Sequence, residues 1–228
     1  MFIAISGLLL LGAMAGINGS ISSTRFNDAV NSTTSFIQSQ YGEVTNGRNS
    51  RLSDVGCNAS GIQPSGNSVP GMTTCIIMGR LLEFNVGGTT ITSRYIVGQD
   101  TTTASSGETA AVLAASAKAA SAGTDETFSV PWSTKINKMT NSNASAKYIA
   151  IVRSPVSERV LFYSFDGGSG LQNLDSAVIT NNNLNKPVTI CLLDDGLIDG
   201  RVGYIRIGSG QGQDIIRSDL TSTTGTCE

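Results

Sequence analysis

The side chains of this chain that can do chemistry are few, and they do not form catalytic patterns. None of the 228 residues is a histidine. The Ser-His-Asp and Cys-His nucleophile systems therefore lack the base that accepts the nucleophile's proton. Four cysteines are too widely spaced for a C-x-x-C metal or redox motif, and they allow three disulfide pairings or four buried free thiols. They are Cys57, Cys75, Cys191 and Cys227.

Two loops near the C-terminus contain residue types that bind ions. Asp194, Asp195 and Asp199 offer the hard oxygen ligands that calcium prefers, but their spacing does not match an EF-hand, and Asp-Gly is common in hairpin turns. Residues 208–212 read Gly-Ser-Gly-Gln-Gly after a predicted strand, without the helix that a phosphate loop needs behind it. We expect no catalytic site, no metal, no cofactor and no small-molecule substrate, and interpret the chain as non-enzymatic.

The uncharged N-terminal segment limits the possible architecture of the whole chain. Residues 2–24 contain no charged side chain, and a helix of that length spans roughly 34 Å, about the thickness of a bilayer's hydrocarbon core. Three interpretations are open. The segment is a secretory signal removed after Ala13-Met14-Ala15, a permanent single-span anchor, or the apolar half of one long helix.

The residues that follow favour the long helix. Large or semi-apolar residues recur three to five positions apart, which is typical of an amphipathic helix. Asn46-Gly47 then provides a stop, because both residues tolerate the left-handed conformation that ends helices. The pattern predicts one helix over residues 2–45 and a separate β-rich domain over residues 46–228. The amphipathic positions are Ile21, Phe26, Val30, Thr33, Ile37, Tyr41 and Val44.

An uncharged N-terminal run that continues into an amphipathic half and a Gly/Ser/Thr/Asn-rich β domain resembles a type IV pilin or pseudopilin. The residues that carry the resemblance are the apolar run 2–12 and the segment Arg25-Phe26-Asn27-Asp28. The family's basic leader, the glycine before its processed phenylalanine and its early glutamate have no counterpart here. No processing site is therefore transferred from the family.

The resemblance implies a structural subunit of a type IV pilus or secretion pseudopilus, located in the cell membrane as a single-pass protein and in the extracellular filament. Its partners would be the membrane before assembly and other pilin subunits afterwards, with small residues directing helix packing. It also implies that the cysteines form disulfides, with Cys57–Cys75 and Cys191–Cys227 as the favoured pairs. The expected packing positions are Phe2, Ile5, Gly7, Leu8, Leu11, Gly12, Ala15 and Gly16.

Two alternatives from other functional classes stay open. Some minor pilins of the H-type pseudopilin group bind DNA or a surface ligand at the filament tip, and Arg201, Arg206 and Arg217 are the candidate DNA contacts that this resemblance implies. The competing interpretation is that these arginines are ordinary solvent-exposed charges on strands. The net charge of −2 favours it, because it predicts no general affinity for nucleic acid. The other alternative is a Sec-exported hydrolase whose reaction the sequence does not indicate.

The residues after the helix predict three pairs of strands. Residues 74–86 and 89–97 flank Gly87-Gly88, a two-residue link suited to a tight hairpin. Residues 148–153 pair with 159–165, and residues 188–193 pair with 201–207. An alanine-rich run from Glu108 predicts a short helix. Together these patterns predict an α+β fold, in which the long N-terminal helix packs on an antiparallel sheet.

Overall fold

The computed structural model describes the backbone of most of the chain. The described residues are 2–47, 56–58, 61–63, 75–99, 107–115, 117–119, 125–141, 144–167, 174, 179–181, 183–195, 200–208 and 217–224. Side chains are described in the same ranges except for residues 2–19, 56–63, 75, 99 and 217–224.

Two helices and thirteen strands form in the described part of the chain. Helix α1 covers Phe2–Thr45, and the much shorter α2 covers Glu108–Ala114. In chain order, the strands are β1 Gly56–Asn58, β2 Gly61–Gln63, β3 Cys75–Phe84, β4 Thr90–Gln99, β5 Lys118–Ala119, β6 Glu126–Ser129, β7 Lys135–Asn141, β8 Ala144–Ser145, β9 Tyr148–Arg153, β10 Val160–Phe165, β11 Val188–Leu193, β12 Arg201–Ile207 and β13 Arg217–Thr224.

The strands form two antiparallel sheets and one small ribbon of β1 and β2. In the first sheet the strand order is β10-β9-β3-β4-β5, and β6 also pairs with β4. In the second sheet the order is β13-β12-β11-β7-β8. The three predicted strand pairs are confirmed, because β3 pairs with β4, β9 with β10 and β11 with β12.

The main hydrophobic core is shared by α1 and both sheets. The helix contributes the buried face Phe26, Val30 and Ile37, at the spacing that lines up one side of a helix. Alternate residues of the strands supply the other walls, because successive side chains of a strand point to opposite faces. From the first sheet these are Leu82, Phe84, Ile91, Ile149, Ile151 and Phe162, and from the second sheet Ile136, Met139, Val188, Ile190, Leu192, Ile205 and Ile207.

A second core covers the other face of the first sheet. Ala150 and Val152 of β9 point into it, whereas the neighbouring Ile149 and Ile151 point into the main core. Strand β9 is therefore buried on both faces. Helix α2 and the segments around residues 117, 174 and 179 close this second core.

Two glycines set how the helix fits the sheets. A Cβ atom at Gly203 of β12 would lie 2.8 Å from Cγ2 of Val30 and 3.2 Å from Cζ of Phe26, so only glycine allows α1 to approach β12 this closely. At the other end of the helix, Gly47 has φ of 60°, the left-handed conformation in which helices commonly stop. The backbone amide of Gly47 donates to the carbonyl of Val44 at 3.3 Å.

The predicted fold class, α+β with a long helix packed on an antiparallel sheet, is wrong. The chain is mostly β-sheet, and its strands divide into two antiparallel sheets. The physical reason lies in β7 and β13, which pair with β11 and β12 and so build the second sheet around the third predicted strand pair. The division into a helix of residues 1–45 and a domain of residues 46–228 stays a prediction.

The predicted location as a single-pass protein of the cell membrane is also wrong, and the extracellular filament location is without support in the structure. Among the residues that the structure describes, no helix combines the length and the apolar character needed to cross a membrane.

The shared core predicts a large cost for truncating the helix at its centre. Ile37 is fully buried, and we expect Ile37→Ala to lower the free energy of unfolding by about 2–5 kcal/mol, through lost burial and the cavity left behind. Ile21→Ala on the same helix is the matched control, because Ile21 is 43% exposed. Denaturant unfolding of the full chain measures both, and equal effects would contradict the assignment of Ile37 to the core.

Candidate interaction surface

A buried polar network joins the C-terminal part of α1 to the first sheet. Gln40 accepts a hydrogen bond from the Ser93 hydroxyl at 2.8 Å and donates to Glu126 at 3.1 Å. Arg80 of β3 forms an ion pair with Glu43 of the helix, and its guanidinium lies 3.7 Å from the centroid of the Tyr95 ring. The Arg80 side chain is only 6% exposed.

This network is a specific attachment of the helix. A buried cation is costly to leave unpaired, so Arg80 favours the one position of α1 along the sheet at which Glu43 reaches it. The polar partners also satisfy Gln40, which is buried on the side of the helix that faces the core. The network therefore fixes the helix position along its axis, which the apolar contacts alone specify less sharply.

A cleft of about 280 Å³ opens beside this network, between Tyr95 and Gly47, two residues after the end of α1. Two cations and two carboxylates line it. Arg80 pairs with Glu43, and Arg153 pairs with Glu158 at 2.9 Å. Because these four charges form two mutual pairs, the charged side chains described in the cleft leave no uncompensated charge that would select an ionic ligand.

At the opposite end of the core, α1 meets the turn before β7. The indole Nε1 of Trp132 donates a 2.8 Å hydrogen bond to Oδ2 of Asp28, and the Arg25 guanidinium lies 5.0 Å from the centroid of the Trp132 ring. Ile21 lies one helical turn before Arg25 on the same side of the helix. Ile21 is 43% exposed and Trp132 51% exposed. We call the surface formed by Ile21, Arg25 and Trp132 the exit patch.

The turn that holds Trp132 has an unusual backbone. Trp132 has φ of 60° and Ser133 has φ of 58°, a left-handed conformation that residues with a Cβ rarely adopt. Each such residue costs on the order of 1–3 kcal/mol, and such strain persists where the surrounding structure imposes it.

Two of the three aspartates that were considered as calcium ligands have separate partners. Lys135 forms a 2.5 Å ion pair with Asp195, and the Ser22 hydroxyl lies 3.5 Å from Oδ2 of Asp194. Asp199 lies outside the described residues. No group of three potential metal ligands occurs among the side chains that are described.

The three arginines proposed for DNA contact lie on the neighbouring strands β12 and β13. Arg206 on β12 is exposed and lies directly opposite Arg217 on β13 in the strand register. Arg201 begins β12 opposite Thr224, on the far side of a bulge between Arg201 and Val202. The side chain of Arg217 lies outside the described side chains, so DNA binding stays a prediction.

The cysteine and helix-packing predictions fall largely on side chains outside the described set. Cys191 on β11 is buried and disulfide-bonded. Cys57 and Cys75 lie on strands whose side chains at these positions are not described, and Cys227 is outside the described residues, so the pairing stays a prediction. The same holds for the packing positions from Phe2 to Gly16, where α1 is described by its backbone alone.

Three titratable groups have shifted pKa values, and each has a structural cause. Hydrogen bonds from Ser154 and Ser157 lower the pKa of Glu108, and the charge of Arg159 acts in the same direction. Burial raises the pKa of Tyr163. Burial also raises the pKa of Tyr148, and the Glu83 carboxylate adds to this shift. All three are in or beside the first sheet, away from the exit patch.

Comparisons with family models, with characterised proteins and with solved structures find no match for this chain. The exit patch was not identified by sequence reasoning, which treated Arg25 and Asp28 only as part of a family-like segment. A usable signal was present, because Trp132 is the sole tryptophan of the chain and follows a proline in a polar turn.

The ion pair of the buried network predicts unequal costs for removing two glutamates. Glu43→Ala leaves the buried Arg80 with Glu126, 4.0 Å away, as its remaining carboxylate partner among the described side chains. We expect it to lower the free energy of unfolding by about 3 kcal/mol, the lower end of the cost of breaking a buried pair. Glu158→Ala removes a partner that is 77% exposed and should cost under about 0.5 kcal/mol. Denaturant unfolding that gives similar costs would contradict the network.

The left-handed turn predicts that a glycine will stabilise the chain. Ser133→Gly removes the clash of Cβ at φ of 58°, and we expect about 0.5–1 kcal/mol of added stability, net of the extra flexibility of glycine when unfolded. Ser133→Ala is the control, because it removes the hydroxyl and keeps the strained Cβ. Thermal unfolding compares the variants, and a destabilising Ser133→Gly would show that the turn is not strained.

Proposed function

We propose that this chain is a non-enzymatic structural subunit of a filament of the type IV pilus or secretion pseudopilus kind, and that it polymerises through α1. The observation that carries the proposal is the continuity of this helix. Its 44 residues extend about 66 Å, and Phe26 is the first of its described side chains to lie in the main core.

The N-terminal part of α1 supports an assembly because its sequence is uncharged and rich in apolar residues. Residues 2–19 span about 27 Å of helix and include no charged side chain. Apolar segments commonly contribute to interaction sites. Other copies of the same helix are apolar neighbours of matching length, and small residues such as Gly7 and Gly12 allow helices to approach closely.

The C-terminal half of α1 supports the same proposal, because it is firmly held. Both sheets pack on it, and the ion pair of Arg80 with Glu43 fixes its position. A subunit that transmits tension along a filament needs its polymerising helix built into the folded domain rather than tethered by a linker. The chain meets that requirement with a helix that continues without a break from Phe2 into the core.

The test is assembly of the full chain, measured by sedimentation and by electron microscopy of stained particles. We expect filaments, and we expect Leu8→Asp to reduce them at least about tenfold. A carboxylate placed in an apolar helix contact costs several kcal/mol, and 1.4 kcal/mol already changes an equilibrium constant tenfold. Ser35→Asp is the matched control, because Ser35 is an exposed position of the same helix.

Two results would overturn the proposal. One is a wild-type chain that stays monomeric across the accessible concentration range. The other is an assembly that Leu8→Asp and Ser35→Asp leave equally intact, since the helix would then not be the polymerising element.

A further inference from the structure

The exit patch presents an aromatic side chain in a fixed orientation. Trp132 is 51% exposed, although its indole N–H already has Asp28 as a partner and the Arg25 guanidinium lies near its ring. The polar edge of the ring is therefore satisfied within the chain, and the exposed remainder is apolar. A ring that is already held in place loses little conformational freedom when a partner covers it.

The backbone conformation of the turn supports a binding role for the exposed Trp132 ring. Two consecutive non-glycine residues, Trp132 and Ser133, keep a left-handed conformation that the fold must compensate elsewhere. Folding alone would favour glycine at either position. Strained residues of this kind cluster at binding sites, where the strain positions a side chain.

The composition of the exit patch matches the centre of protein interfaces. Tryptophan and arginine are the residues most enriched among those that dominate binding energy. Here the Arg25 guanidinium lies 5.0 Å from the ring centroid of Trp132, and the exposed Ile21 extends the patch towards the N-terminus of α1. The patch therefore combines a rigid aromatic anchor, a cation and an aliphatic side chain.

The position of the exit patch on α1 indicates which partner would cover it. It lies where α1 passes from the main core to the uncharged residues 2–19, so a partner that covers those residues runs directly beside Trp132. We propose that the exit patch, with Trp132 as its anchor, is a contact surface for a second copy of this chain. This inference rests on the proposed function, because it assigns a specific contact to the same assembly.

The sole tryptophan provides a direct test, because its fluorescence reports on Trp132 alone. We expect assembly of the full chain to shift the emission to shorter wavelength. We also expect the acrylamide quenching constant to fall at least about twofold, as a half-exposed ring becomes buried in the water-excluded centre of an interface.

Substitutions test whether the contact contributes to assembly. Trp132→Ala should raise the critical concentration at least about tenfold, which corresponds to about 1.4 kcal/mol. Val156→Ala is the matched control, because Val156 is 57% exposed on the turn between β9 and β10, away from α1's exit, and should change assembly less than about twofold. Trp132→Phe keeps an apolar ring without the hydrogen bond to Asp28 and should be intermediate.

The outcomes separate this inference from the proposed function. Filaments in which Trp132 remains as accessible to acrylamide as in the monomer would overturn the contact and leave the proposed function standing. Filaments that form equally well from Trp132→Ala and Val156→Ala would also overturn it. A wild-type chain that never assembles would overturn both. The fluorescence of the wild type decides the question even if Trp132→Ala fails to fold.

Discussion

The close contact between α1 and the two sheets is the constraint on which the rest of the structure depends. The helix fills the space between the sheets, so neither sheet completes its apolar face without it. Burial of this shared surface favours folding by roughly 25 cal/mol per Å² of apolar area. Gly203 makes the fit close, because any larger residue there would push Val30 and Phe26 away from β12.

Polar contacts then select one arrangement among those that the apolar contacts permit. Helix and sheet surfaces of similar shape can pack at several offsets, but only one offset brings Glu43 to Arg80 and Gln40 to Ser93. Buried polar groups without partners are strongly unfavourable, so the alternative offsets are disfavoured. The same argument holds at the other end of the core, where the Asp28 carboxylate accepts a hydrogen bond from the indole N–H of Trp132.

Local patterns in the sequence predicted the three strand pairs, because their partners lie close in the chain and are joined by turn-forming residues. The second sheet could not be predicted in this way. In β7, Ile136 and Met139 both face the main core although they are three residues apart, because β7 and β11 change register between them. This irregularity breaks the alternation by which a strand is recognised.

The exit patch escaped prediction for a related reason. Asp28 and Trp132 are 104 residues apart, and no local pattern indicates that they meet. The sequence did indicate where α1 turns from apolar to amphipathic, which is where the patch lies. Long-range contacts of this kind follow from the assembly of the sheets around the helix.

An unbroken helix also transmits angular position. Each residue of an α-helix turns the chain by about 100°, so the direction in which every side chain before Phe26 points is set by the side of α1 that the sheets hold. Inserting one residue between Gly19 and Phe26 would leave the core intact and rotate the whole uncharged segment by about 100° about the helix axis. The number of residues between the core and the N-terminal segment thus fixes the rotation of that segment about the helix axis. A neighbour that contacts both the domain and the segment must match this rotation.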